Sequence, residues 1–129
     1  MANWNPDSFT GQMFKVTTCH VPSLPGIAAP VLWGDERTVR GRLGPYFRNI
    51  ETKLIPVDFD LPTSPVGAVA FFRRYFGPTN VAFSRLDEAG QVAFASDLES
   101  LWTSANAAPA LQSHTLIHNQ YLQVTAVRI

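Results

Sequence analysis

The chain is short of several things at once, and each shortage excludes a class of protein. It carries one cysteine, Cys19, which rules out an internal disulfide and fits a reducing compartment. No apolar run approaches the roughly 20 residues needed to cross a bilayer. Met1 is followed by polar residues, not by a basic n-region and an apolar h-region, so no secretion signal is visible. There is no surplus of either charge: ten basic and ten acidic residues give a net charge of zero. That balance provides no electrostatic footprint for a nucleic acid or an anionic membrane. A Gly-x-Ser-x-Gly elbow, a Gly-x-Gly-x-x-Gly turn and a phosphate-cradling Gly-rich loop are all missing. The expectation is a soluble cytoplasmic domain that contacts neither nucleic acid nor membrane.

What the chain does have is apolar bulk. Its 129 residues are 46% hydrophobic and 16% charged, enough to bury the core of one domain spanning residues 1–129. The first helix pattern runs from about Pro6 to about His20, with Asn5 as N-cap, Pro6 in the first turn and Asp7 at the positive end of the dipole. Phe9, Met13 and Val16 form its apolar stripe. Pro22, Pro25, Gly26 and Pro30 make residues 21–32 an extended loop. Asp35 caps a second helix whose inner face is Val39 and Leu43, ended by Gly44-Pro45.

Residues 49–61 alternate like a half-buried strand, with Ile55, Val57, Phe59 and Leu61 on one side. Upstream, Ile50, Thr52 and Leu54 carry the opposite phase. A bulge near Leu54-Ile55, or an edge position, accounts for that switch and for Pro56. Ser64-Pro65 starts a third helix with Val69, Phe72 and Phe76 on one face, Gly77-Pro78 redirects it, and Asp87 caps a further helix. Phe94, Leu98, Leu101 and Trp102 face inward from that last helix. Residues 121–129 close the chain as a strand with Leu122, Val124 and Ala126 on one face.

Polar candidates for chemistry are weak. His114 and His118 suit a metal only on a helix; on a strand they lie about 13 Å apart at roughly 3.3 Å per residue. Cys19 and His20 point about 100° apart on a helix, a poor thiolate–imidazole geometry. Asp58 and Asp60 share the polar face of one strand, where solvent or Arg73 and Arg74 are their simplest partners. The aromatic residues are more suggestive. Most must be core, but Trp4, Phe14 and Trp33 adjoin irregular loops and are candidates for lining an apolar pocket.

The first helix begins close to Met1, where a preceding strand would ordinarily aim it. The expectation is that this launching strand is largely missing. Ala2-Asn3-Trp4-Asn5-Pro6, Phe9-Thr10-Gly11-Gln12-Met13-Phe14-Lys15, Pro25-Gly26, Val31-Leu32-Trp33-Gly34-Asp35-Glu36, Phe71 through Thr79 and Tyr121 through Arg128 stand in one order. In that order they resemble the C-terminal half of class I S-adenosylmethionine-dependent methyltransferases acting on small molecules. The resemblance implies an α+β fold, a partial Rossmann-like methyltransferase C-terminal portion. An antiparallel strand pair, about 49–61 and 121–129, packs with about four to five helices, and residues 64–106 form a helical lid between those strands.

By the same resemblance, Ala2-Asn3-Trp4 is the tail of the fifth sheet strand, and the final strand lies between it and the sixth. The helix from Pro6 then caps a substrate, with Trp4, Met13, Phe14 and Trp33 facing the pocket and Phe72 and Tyr75 behind them. No residue matches the family's Gly-rich cofactor loop or its ribose-holding acid. The chain alone is therefore expected to bind no S-adenosylmethionine and to have no catalytic, cofactor-binding or metal residues of its own. A stand-alone module for an apolar small molecule, and one subunit of a split methyltransferase, are the alternatives. The final strand's open edge implies a homodimer or a partner chain.

Overall fold

Thr115–Arg128, the last strand (β3), forms the centre of the sheet and organises everything else. The computed structural model describes residues 1–111 and 113–129. Ala2–Trp4 (β1) pairs with one side of β3, with Ala2 opposite Gln123 and Trp4 opposite Tyr121. Phe47–Leu61 (β2) pairs with the other side, from Phe47 opposite Arg128 to Leu61 opposite Thr115. Both pairings are antiparallel, so β1 and β2 run parallel to each other on the two flanks of β3. Among the described residues five α-helices accompany the three strands: Phe9–His20 (α1), Glu36–Leu43 (α2), Pro65–Tyr75 (α3), Gly77–Ser84 (α4) and Glu88–Ala105 (α5). The fold is α+β.

The sheet is covered on both faces, at different ends. Ile117 of β3, with Phe59 and Leu61 of β2, faces the main core of Phe9, Met13, Val69, Phe83, Phe94 and Trp102. Leu122 and Val124 face the other way, onto Val39 of α2, with Leu43 and Ile50 beside them. Period-two alternation gives each strand one set of side chains per face, so a strand covered on opposite faces at its two ends shows two apolar phases. That is the origin of the phase switch in β2.

The bulge expected near Leu54-Ile55 is absent. Pairing is continuous from Glu51 to Leu61, and the irregularity falls between Arg48 and Glu51, where Asn49 has φ 51°. Asparagine tolerates that left-handed conformation better than most side chains. Pro56 is accommodated because β2 is an edge strand. Its partner Gln120 turns its carbonyl toward the amide of Asn5, 3.5 Å away, so the Pro56–Gln120 pair is a non-hydrogen-bonded one. The missing N–H of Pro56 therefore points out of the sheet.

The helix caps follow local chemistry. Asp35, Ser64 and Asp87 accept from the amides of Thr38, Gly67 and Gly90 and start α2, α3 and α5. The first helix departs from expectation. Its N-cap is Ser8, which accepts from the Gly11 amide at 3.1 Å, while Asn5 accepts from the Asp7 amide in a tight turn before it. β3 starts at Thr115, six residues before the expected Tyr121, because Asn119 is buried and paired and the polar run around it belongs to the sheet. No helix among the described residues is long and apolar enough to cross a membrane.

Candidate ligand-binding groove

α1 presents two stripes. Phe9 and Met13 go to the core, at 4% and 2% exposure. Phe14, Lys15, Thr18 and Cys19, at helical three- and four-residue spacings, lie on the opposite flank. The chain leaves α1 at Val21, crosses a proline-rich loop and returns through a 3₁₀ turn, Pro30–Gly34, beside β1. Two asparagines fix this return. Asn3 donates its side-chain amide to the Pro30 carbonyl at 2.8 Å, and Asn5 donates to the Gly34 carbonyl at 3.1 Å. Gly34 sits so close to Trp4 that a side chain there has no room.

The return leaves a groove between the outer flank of α1 and Ala29–Val31. One open hollow, of about 410 Å³, is lined by Pro6, Phe14, Thr18 and Val31 among others. It shares Phe14, Thr18, Ala29 and Val31 with a second hollow, also about 410 Å³, which extends to Val21, Pro78 and Arg85. Such volumes lie within the roughly 300–1,000 Å³ common for small-molecule sites. Phe14 is stacked on Phe76, with ring centroids 6.3 Å apart and planes at 29°, which holds the ring in place at the junction. Thr17 and Thr18 donate their hydroxyls to the Met13 and Phe14 carbonyls, each at 2.8 Å, so those donors are spent on the helix itself.

The six residues expected around a pocket do not meet in one place. Phe14 lines both hollows. Met13 is core, and Phe72 packs on Phe59, Phe76 and Trp102 with centroids 5.9, 5.3 and 4.9 Å away. Tyr75 is 64% exposed and leans on Phe71. Trp33 lies on the surface under the Arg42 guanidinium, 4.6 Å from its centroid. Trp4 meets Phe59 and Tyr121 edge-on and borders a separate hollow with Ala2 and Asn3. Sequence reasoning missed Thr18, Val31 and Arg85 as lining, and Asn3 and Asn5 as the ties that hold the far wall. Thr18 follows Phe14 by one helical turn, a signal present in the sequence; Arg85 reaches the groove only through the tertiary fold.

Acid–base pairs lie elsewhere. Asp58 and Asp60 do not contact Arg73 or Arg74. Asp58 pairs with His118 at 2.8 Å across β2 and β3, and Asp60 pairs with His114, just before β3. The strand register decides this, since Asp58 stands opposite His118. Arg73 instead donates to Gln91 at 2.9 Å and covers Phe83, and Arg74 covers Tyr75. His20 turns to Asp97, 2.6 Å away, and away from any pairing with the exposed Cys19. No group of three or more His, Cys, Asp or Glu comes together among the described residues.

Two carboxylates are held below the usual carboxylate range. For Asp35 the cause is the Thr38 hydroxyl first, then the Thr38 amide. For Glu36 it is the Thr52 hydroxyl, then the Arg40 side chain. Arg40 also donates to the Ile50 carbonyl at 2.9 Å, so this cluster fastens α2 to β2. It is structural and lies outside the groove. Compared with protein-family models and with curated proteins, the chain matches none.

Proposed function

We propose that the chain is a substrate-capping unit of methyltransferase-like type, whose groove between α1 and Ala29–Val31 takes an apolar small molecule. One observation carries this reading: the groove opens directly past the carboxyl end of β1, with Pro6 as its first wall residue. In parallel α/β sheets ligands bind outside the carboxyl ends of strands, and the resemblance makes β1 the tail of one such strand. The sheet order supports it further. A central β3 antiparallel to two flanking strands is the order that the methyltransferase resemblance implies for its fifth, seventh and sixth strands. α3, α4 and α5 stand between β2 and β3 in sequence, where the resemblance puts a lid.

The chain carries no Gly-rich loop for S-adenosylmethionine, and the groove has no carboxylate to hold a ribose. In this reading the unit caps a substrate and has no methyl-transfer residues of its own. A partner chain that supplies a cofactor site makes the pair an enzyme; without one, the unit is a binding module. Two titrations of the chain alone test the capping reading that both share. The chain alone should take up the neutral apolar probe N-phenyl-1-naphthylamine, and Phe14→Ala should weaken that uptake about tenfold, on the scale of one buried aromatic contact. Calorimetry with S-adenosylmethionine should be flat. Binding of S-adenosylmethionine by the chain alone contradicts the capping reading.

A further inference from the structure

The polar content of the groove is one-sided. Among the residues that line its two hollows, the only charged ones are Lys15 and Arg85. Both are exposed, and neither takes part in any ion pair among the described residues. Elsewhere four acids have a basic partner: Asp97 has His20, Glu36 has Arg40, Asp60 has His114 and Asp58 has His118. The whole chain has no net charge, yet this groove gathers two cations and no carboxylate. The threonine hydroxyls that could otherwise recognise a polar ligand donate to helix carbonyls instead.

Resting on the capping reading above, we infer that the groove's ligand is an apolar molecule bearing one anionic group, a carboxylate or sulfonate, with its apolar body on Phe14 and its anion at Arg85. Arg85 is the better of the two anchors. It follows the C-terminus of α4, its C-cap position bonded by its own amide to the Ala82 carbonyl at 3.1 Å, so its backbone is fixed. Its planar fork can bind a carboxylate or sulfonate through two parallel hydrogen bonds. Lys15, a point charge on the first hollow, adds attraction at longer range and without fixed geometry. A cation beside apolar walls is screened less than one in open water, which favours a ligand that brings the counter-charge.

The test pairs two probes with the same apolar body, N-phenyl-1-naphthylamine and 8-anilino-1-naphthalenesulfonate, titrated into the full chain by fluorescence. The sulfonate should bind tighter by up to about fivefold, the upper range for one exposed ion pair. Arg85→Gln should remove most of that advantage, Arg85→Lys should restore part of it, and Lys15→Gln should remove less. Salt at about 0.5 M should erase the advantage and leave the neutral probe unaffected. Both side chains are exposed, and circular dichroism of each variant checks that the fold is retained. Equal affinity for the two probes, or a sulfonate preference unchanged in the Arg85→Gln, Lys15→Gln double variant, overturns the inference and leaves the capping reading standing. Failure of both probes, or uptake indifferent to Phe14→Ala, overturns the capping reading as well.

Discussion

Gly34 lies against the carbonyl of Trp4 so closely that a Cβ at position 34 would stand 1.8 Å from that oxygen. The contact is backbone on backbone, so no side-chain rotation can relieve it. It closes the outer edge of β1 and sets how near the Ala29–Val31 wall comes to α1. Gly34→Ala should therefore cost about 2 kcal/mol of unfolding free energy, within the range for overpacking a filled site. It should also widen the groove and weaken N-phenyl-1-naphthylamine uptake. Urea unfolding and probe titration of the same variant check both effects. Gly41→Ala, where an added Cβ meets nothing within 4 Å inside α2, is the control: it should raise stability by about 0.5–1 kcal/mol and leave probe uptake unchanged.

Asn119 joins α1 to the centre of the sheet. Its amide donates to the Thr10 hydroxyl at 2.7 Å, and its oxygen accepts from the Gln120 amide at 3.0 Å. Both Asn119 and Thr10 are buried, at 5% and 1% exposure. Thr10→Val strands the Asn119 amide and should cost about 1–3 kcal/mol. Asn119→Leu alone should cost at least as much, because it strands the Thr10 hydroxyl and the Gln120 amide. The double variant should fall short of the sum of the two, since both partners of one bond are then apolar. Additive losses in a double-mutant cycle contradict this pairing.

The cap and clasp of α2 should give the protein an acid-sensitive edge. Asp35 and Glu36 have folded-state affinities for protons below their unfolded ones, for the hydrogen-bonding reasons given above. A depressed carboxylate adds stability that is complete above its unfolded pKa and is lost as pH falls through the folded value. Acidification below the ordinary carboxylate range should therefore release the Thr38 amide and the Thr52 hydroxyl, loosening α2 from β2 before the main core opens. Amide exchange at Thr38 followed by nuclear magnetic resonance reports this. Asp35→Ala should remove the corresponding part of the acid dependence, and an unchanged profile contradicts it.

Much of this architecture was legible in the sequence because it rests on local chemistry. Asp35, Ser64-Pro65 and Asp87 begin helices wherever they stand before a periodic apolar run, and they do so here. The start of α1 was not legible, because Asn5 and Ser8 are both good caps and only the Gly11 amide's partner distinguishes them. The phase switch in β2 was visible but not its cause, which is the covering of opposite faces by α2 and by the main core. The beginning of β3 was hidden by His118, Asn119 and Gln120, whose side chains bond to Asp58, Thr10 and Asn5, all more than fifty positions away. In the groove, Phe14 could be picked out as an aromatic beside a loop. Arg85 could not, since it joins Phe14 only after α1 and α4 have packed.

Association should follow the open side of β3. Asn5, β1 and Met1 cover β3 from Gln120 to Val124, and beyond Val124 that side has no strand against it among the described residues. Val127 and Ile129, at 47% and 77% exposure, lie at this corner. The outer edge of β2 is the poorer site, because Pro56 offers no N–H there. A second copy adding edge-to-edge at residues 125–128 gives a dimer, which light scattering at micromolar concentration should detect. Ala126→Pro on the open edge should shift it toward monomer. A monodisperse parent monomer contradicts edge association.

The central claim is that the groove between α1 and Ala29–Val31 is where an apolar ligand sits. Titration of N-phenyl-1-naphthylamine into the isotopically labelled chain, followed by amide chemical-shift mapping, tests it most directly. The account predicts saturable shifts centred on Phe14, Thr18 and Val31, with saturation moved to about tenfold higher probe concentration in Phe14→Ala. Shifts centred on Phe71 and Tyr75, or on Trp4 and Tyr121, with the groove silent, contradict it.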